Sequence, residues 1–161
     1  MTRQRFVELI TAEQEPLRRF LLALCCGDRM LADDIAQEAI LKAYLAKDSY
    51  VEHYKFSTWL YRIAYNTMVD YRRKSSTLLT DIDRANVMDS DLRADGEFEY
   101  QELYMALESL SVKERTAILL YYLQGYTIRE VAQITGDGED AVKMQLSRGR
   151  THLKNKLSNG R

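Results

Sequence analysis

Apolar residues recur at helical rather than strand spacing from one end of the chain to the other. Leu17, Phe20, Leu21 and Leu24 share a face after Pro16. The fixed φ of a proline suits a first helical position, where its missing N–H goes unbonded in any case. Gly27 and Asp28 then close one helix and open the next, in which Leu31, Ile35, Ala36, Ala39, Ile40 and Ala43 form a single stripe. A polar, tyrosine-bearing loop from Asp48 to Lys55 leads to a long helix capped by Ser57. Its inward face is Leu60, Ile63, Ala64, Thr67, Met68 and Tyr71, and it ends in Arg72, Arg73 and Lys74, cations suited to a helix C-terminus.

The second half is punctuated more sharply. Leu103, Leu107 and Leu110 predict one helix, and Ser111 with Glu114 forms a capping box that starts another. Ile118, Leu119, Tyr122 and Leu123 are expected on its inner face, with Gly125 as a left-handed exit. Thr127 with Glu130 makes a second capping box, opening a short helix that carries Val131, Ala132 and Ile134 and stops at Gly136. Beyond the turn 136–138 a longer helix places Val142, Leu146, Gly149, Leu153 and Leu157 on one side. A short helix, a tight glycine turn and a longer helix predict a helix-turn-helix.

Seven glycines and one proline in 161 residues are too few turn formers for a many-stranded sheet, so the expectation is all-α. The formal net charge of -1 excludes a uniformly basic nucleic-acid-coating protein, but charge is segregated along the chain. Between Leu78 and Glu102 eight acids, Asp81, Asp83, Asp89, Asp91, Asp95, Glu97, Glu99 and Glu102, face only Arg84 and Arg93. After Asp140 there is no acid, while Lys143, Arg148, Arg150, Lys154, Lys156 and Arg161 follow. These shifts divide the chain into a helical domain at 1–77, an acidic flexible linker at 78–98 and a helix-turn-helix domain at 99–161.

Cys25 and Cys26 are adjacent in an apolar stretch, a spacing that suits neither a metal knuckle nor a disulfide framework, and they read as reduced core thiols. No metal or other cofactor is expected. No apolar run approaches the roughly 18 residues of a membrane span, and the N-terminus lacks a signal-peptide core, so a cytoplasmic protein without membrane insertion is expected. Only His53 and His152 are available as histidines, and no phosphate loop, nucleophile elbow or metal-ligand spacing is visible. The pattern points away from an enzyme, with no catalytic residues.

On a helical wheel the stripe of the last helix leaves Asp140, Met144, Ser147, Arg148, Thr151 and Lys154 outward, flanked by Lys143 and Arg150. The second helix of such a motif lies in the major groove, where arginine bridges a guanine edge, lysine meets phosphate, and methionine or threonine touches a thymine methyl. Trp59 beside Tyr61 and Tyr65, with Arg62, Asn66, Arg72 and Arg73 interleaved, offers aromatic surface and cations of the kind single-stranded bases stack on. Trp59 has a core role as its alternative. In the second helix Asp34, Gln37 and Glu38 lie with Leu41 on one side, an acidic patch with an apolar spot that suits a basic helical partner.

Four stretches together resemble the extracytoplasmic-function group of sigma-70-like RNA polymerase sigma factors: DDIAQEAILKAY (33–44), FSTWLYRIAYN (56–66, continuing to Asp70, Arg72 and Arg73), the segment 107–126, and 128–150. The resemblance implies a factor that binds core RNA polymerase and directs promoter-specific initiation. By that resemblance Asp33, Asp34, Gln37, Glu38 and Leu41 grip the clamp coiled coil of the large polymerase subunit. Ser57, Trp59, Arg62, Tyr65, Asn66, Arg72 and Arg73 melt and capture the minus-ten element, with Tyr50, His53 and Tyr54 as candidates for a flipped-base pocket. Arg129 joins the last helix in binding the minus-thirty-five element. The resemblance also implies that the linker threads the polymerase RNA path, although a solvated tether would have the same composition, and that an anti-sigma protein masks the two domains. Asp137, Gly138, Gln145 and Ser147 depart from the family pattern, and the first two are expected to weaken or shift the start of the last helix. Two loosely tethered footprints predict weak DNA binding until polymerase orders them. The alternative is a response-regulator-type helix-turn-helix factor, which would require alternating strands and helices in the first half.

Overall fold

The computed structural model describes residues 1–78 and 98–159. Among them are seven α-helices, a 3-10 turn, a π turn and no strand: α1 (Arg3–Leu24), α2 (Arg29–Leu45), the 3-10 turn Lys47–Ser49, α3 (Phe56–Leu78), α4 (Phe98–Glu108), α5 (Val112–Ile118), the π turn Leu119–Leu123, α6 (Ile128–Thr135) and α7 (Glu139–Asn159). The acids from Asp81 to Glu97, and with them most of the expected linker, lie outside the described residues.

Helix α1 is longer than its sequence signals suggested. Thr2 caps it, its hydroxyl accepting from the Arg5 amide, and Pro16 sits in the interior rather than at the start. The apolar stripe extends upstream through Phe6 and Ile10, so burial carries the helix through the proline, which costs one backbone hydrogen bond. Its exit is a Schellman motif: the Gly27 amide donates to the Leu22 carbonyl and the Cys26 amide to that of Ala23. Cys26 holds the left-handed position at φ 55, a conformation that favours glycine. Burial pushes the Cys25 thiol to about 12 and that of Cys26 to about 11, so neither is a thiolate at neutral pH.

Helix α2 begins at an Asp28 cap and packs through Ala32, Ala36, Ala39 and Ala43, a buried alanine seam that lets α1 and α3 approach closely. Helix α3 starts at Phe56, so Ser57 lies in its first turn and not at the cap. It buries two faces. Leu60, Ala64 and Met68 meet α1 and α2, while Tyr61 and Tyr65 on an adjoining stripe are buried as well.

In the second half both capping boxes form as the spacing predicts. Leu110 lies just past α4, which ends at Glu108. The run after Ile118 departs from expectation: Leu119 and Leu120 are buried, but Tyr122 and Leu123 are about half exposed. The π turn explains this, because the Gln124 amide donates to the Leu119 carbonyl, five residues back, and the extra residue rotates Tyr122 and Leu123 off the inner face. Gly149 is where α7 crosses α5, and a Cβ there would stand 2.8 Å from Ile118 Cγ1.

The halves are packed against each other rather than tethered apart. Tyr61 donates its hydroxyl to Gln124 Oε1 at 3.0 Å, and Gln124 Nε2 donates to the Pro16 carbonyl. The Tyr126 ring meets that of Tyr61 edge-on at 5.3 Å. Arg62 reaches the Gln133 carbonyl at 3.4 Å, and Lys55 pairs with Glu130 at 3.1 Å. Arg115, 6% exposed, donates to the carbonyls of Leu107, Glu108 and Leu110 and crosses to that of Leu24. One guanidinium thereby satisfies the orphan carbonyls at the C-terminal ends of α4 and α1, where helix dipoles favour a cation.

Candidate nucleic-acid interface

Val131, Ile134, Val142 and Leu146 are fully or almost fully buried between α6 and α7, and this packing sets which side of α7 faces outward. Asp140, Lys143, Met144, Ser147, Arg148, Arg150, Thr151 and Lys154 are all exposed, as is Arg129 on α6. Thr151 donates back to the Ser147 carbonyl, and Arg150 to the Tyr122 hydroxyl at 3.3 Å. That second contact depends on the π turn, which turns Tyr122 outward beside α7.

Helix α7 begins at Glu139, directly after Gly138, and Asp137 before it is held by partners of its own. Asp137 accepts from Lys113 Nζ at 2.9 Å and from Gln145 Nε2 at 3.0 Å, while its amide meets the Thr135 hydroxyl. Burial alone would raise the Asp137 carboxyl, but the bonds from Lys113 and Gln145 outweigh it and hold the group below its ordinary value. Asp137 and Gln145, two separate departures in sequence, are therefore one contact. Gln145 Oε1 is buried and has no partner among the described residues.

On α3 the expected strand-binding groups separate into three sets. Arg62, Asn66, Arg72 and Arg73 are exposed; Ser57 and Trp59 are half-buried; Tyr65 is 6% exposed, under the second half. Trp59 packs on Tyr50 and Phe56 at 5.2 and 5.6 Å, so its ring braces the loop. Tyr50 is fixed there by donating to the Tyr54 carbonyl at 2.6 Å, which leaves His53 and Tyr54 outermost.

On α2, Asp33, Asp34, Gln37 and Leu41 are exposed and Glu38 half-buried. Met30 and Leu45, 70% and 75% exposed, extend this side at helical spacing. Sequence reasoning missed both. It also missed the residues joining the halves, although Ser57, Tyr61 and Tyr65, four apart, mark a second face of α3 that needs a partner.

Sigma-70 region 2 matches residues 9–77 and sigma-70 region 4 matches residues 100–153. The sigma factor SigW of Bacillus subtilis, of the extracytoplasmic-function (ECF) group, is 36% identical over 141 residues, 78% of this chain and 75% of that protein. The chain belongs to the ECF sigma factors of the sigma-70 family. SigM of the same organism is 31% identical over 140 residues, 84% of this chain and 85% of that one. The sigma factor RpoE of Bartonella quintana, solved in complex with the anti-sigma factor NepR, superposes with a TM-score of 0.79 at 26% identity, covering 98% of this chain and 99% of that one. CnrH, in complex with the cytosolic domain of CnrY, shares the fold with a TM-score of 0.73 at 22% identity, over 98% and 90% of the two chains.

As an ECF sigma factor the chain binds core RNA polymerase and directs transcription initiation. The response-regulator alternative is not favoured: both family regions match in order, and the described residues of the first half hold no strand. Family members in general perform no catalysis. No described helix is long and apolar enough to cross a membrane, and the described residues hold no cluster fit for a metal ion.

Proposed function

We propose that the sigma-factor activity is divided among three surfaces, with domains at 1–77 and 99–161 and a tether at 78–98. The outward face of α7, with Arg129, reads the minus-thirty-five element. Arg148 and Lys143 contribute base-edge and phosphate contacts, and Met144 contributes apolar contact with thymine methyls. Ser57, Trp59, Arg62, Tyr65, Asn66, Arg72 and Arg73 of α3, with Tyr50, His53 and Tyr54 in the preceding loop, capture the melted minus-ten strand. Asp33, Asp34, Gln37, Glu38 and Leu41 grip a basic helical element of polymerase. The observation that carries this reading is the exposed face on α7, with Lys143, Arg148, Arg150 and Lys154 around Met144, opposite Val142, Leu146 and Gly149.

The packed halves add a condition. Tyr65 is covered and Arg62 is engaged with Gln133, so minus-ten capture requires the halves to part. Polymerase supplies the energy for parting by binding each half at its own site, and an anti-sigma protein would oppose it by holding the closed form. The protein acts in the cytoplasm, where polymerase is, and has no catalytic step of its own. Run-off transcription with reconstituted holoenzyme tests the division of labour. Arg148→Ala is expected to impair upstream-element recognition while leaving polymerase association intact, and Asp34→Ala the reverse. Wild-type behaviour of either variant removes that assignment.

A further inference from the structure

Two features of the backbone bring one flank of α7 against the end of α5. Gly149 lets the helices cross closely, since a Cβ there would stand 2.8 Å from Ile118 Cγ1, and Arg150 is the next residue. The π turn Leu119–Leu123 begins directly after Ile118 and carries Tyr122 outward, 56% exposed. There Arg150 NH1 donates to the Tyr122 hydroxyl at 3.3 Å. Exposed as it is, Tyr122 is braced: its ring meets that of Tyr121 edge-on at 5.0 Å. The backbone on either side is tied down as well, the Gln124 amide to the Leu119 carbonyl and the Tyr126 amide to that of Leu120. Single π turns inside helices are common at functional sites, because they re-aim side chains that a regular helix would point elsewhere.

Lys143, Arg150 and Lys154, seven and four positions apart, share this flank of α7 and are all exposed. Arg148 lies on the other side of Met144. With Met144 and Thr151 central to the outward face, the flank is where a phosphate backbone rather than a base edge would pass. An exposed arginine samples many rotamers, and ordering them opposes binding. A hydrogen bond from one N–H selects a rotamer before DNA arrives and leaves the other N–H groups of the guanidinium for phosphate oxygens. We propose that Tyr122 is a positioning residue for promoter binding, its hydroxyl holding Arg150 in the orientation that meets a phosphate beside the upstream element. The inference rests on the assignment of α7 above, and adds to that surface a residue from outside the helix-turn-helix.

The test uses holoenzyme reconstituted with core polymerase and a double-stranded promoter selected from a random library by transcription with the wild-type protein. Tyr122→Phe keeps the exposed ring and removes only the hydroxyl. It is expected to weaken promoter binding about two- to fivefold. The factor is expected to be the same on fragments that differ in the bases of the upstream element, because a phosphate contact reads no sequence. Arg150→Ala is expected to weaken binding further and to lower the slope of log affinity against log salt by about one. In that background Tyr122→Phe is expected to change nothing, since the group it positions is gone. The positioning role is overturned if Tyr122→Phe binds as wild type, if its loss persists beside Arg150→Ala, or if the loss follows base sequence. It is overturned equally if affinity for core polymerase falls by the same factor, which would make the tyrosine a protein contact. Arg148→Ala and Arg150→Ala separate the levels. Unchanged binding in both overturns the assignment of α7 and this role with it, whereas a loss in both with none in Tyr122→Phe overturns this role alone.

Discussion

Helices α3 and α7 both carry arginines on an outward face, but the fold treats them differently. The outward face of α7 is exposed along its whole length, and its apolar face is covered within its own half by α5 and α6. Helix α3 buries one face in its own half and a second against α6, so that Tyr61 is fully buried and Tyr65 nearly so. On the proposed assignment, the surface of α7 is open as it stands, and that of α3 is partly covered until a neighbour moves. The cover includes a tyrosine–glutamine bond, an arginine–carbonyl bond, an ion pair between an exposed lysine and a largely covered glutamate, and one buried guanidinium.

The deepest of these contacts gives the largest expected effect. Arg115→Met leaves carbonyls of α1 and α4 unpaired in a buried site, for a cost of about 3 kcal/mol. Thermal unfolding is expected to fall by roughly 6–12 °C. A fall of under about 2 °C would show that water replaces the guanidinium and that the junction is not dry. Next comes Arg148→Ala, expected to cost about 1–3 kcal/mol at one position of the upstream element, read by competition among promoter variants in holoenzyme. A uniform loss across variants would instead make Arg148 a phosphate contact.

Gln124→Ala sharpens the comparison directly, because it removes both the bond from Tyr61 and the one to Pro16 while touching no proposed DNA or polymerase contact. About 1 kcal/mol per bond is lost from the closed form, and the rate of association with core polymerase is expected to rise several-fold in stopped flow. An unchanged rate would mean that parting of the halves does not limit association.

Acid gives the smallest effect. Burial would raise Glu130, but the Thr127 amide and the Lys55 ammonium outweigh it and the carboxyl is depressed from 4.5. A depressed carboxyl contributes stability above its unfolded value, and that contribution is lost as pH falls through the lower folded value. Glu130→Gln should therefore flatten the acid limb of the stability curve below about pH 4.5 and leave neutral behaviour nearly unchanged.

Local signals survived folding nearly intact. Ser111 with Glu114 and Thr127 with Glu130 cap as their spacing requires, and Gly125 and Gly136 take the left-handed exits at φ 76 and 80. Helix α7 displays every expected DNA-facing group because a seven-residue apolar period leaves no choice of face. Signals failed where a choice between partners lay elsewhere in the chain. Pro16 read as a helix start because Phe6 and Ile10 are too sparse to announce a helix before they have a core to enter. Tyr122 and Leu123 read as inward because a helical period cannot foresee a π turn. Tyr65 read as a stacking surface because an exposed tyrosine and a tyrosine under another domain have the same neighbours in sequence.

The amino-acid order determined the all-helical class and the helix-turn-helix, since caps, turn glycines and apolar periods act within four or five positions of one another; the family was legible from the resemblance of four motif stretches in order. Only the tertiary structure decided that the halves close on each other, that Asp137 and Gln145 form one contact, and that Arg115 serves two helix ends. Those outcomes depend on which surfaces meet across intervals such as the 91 residues between Leu24 and Arg115, and no local preference encodes them.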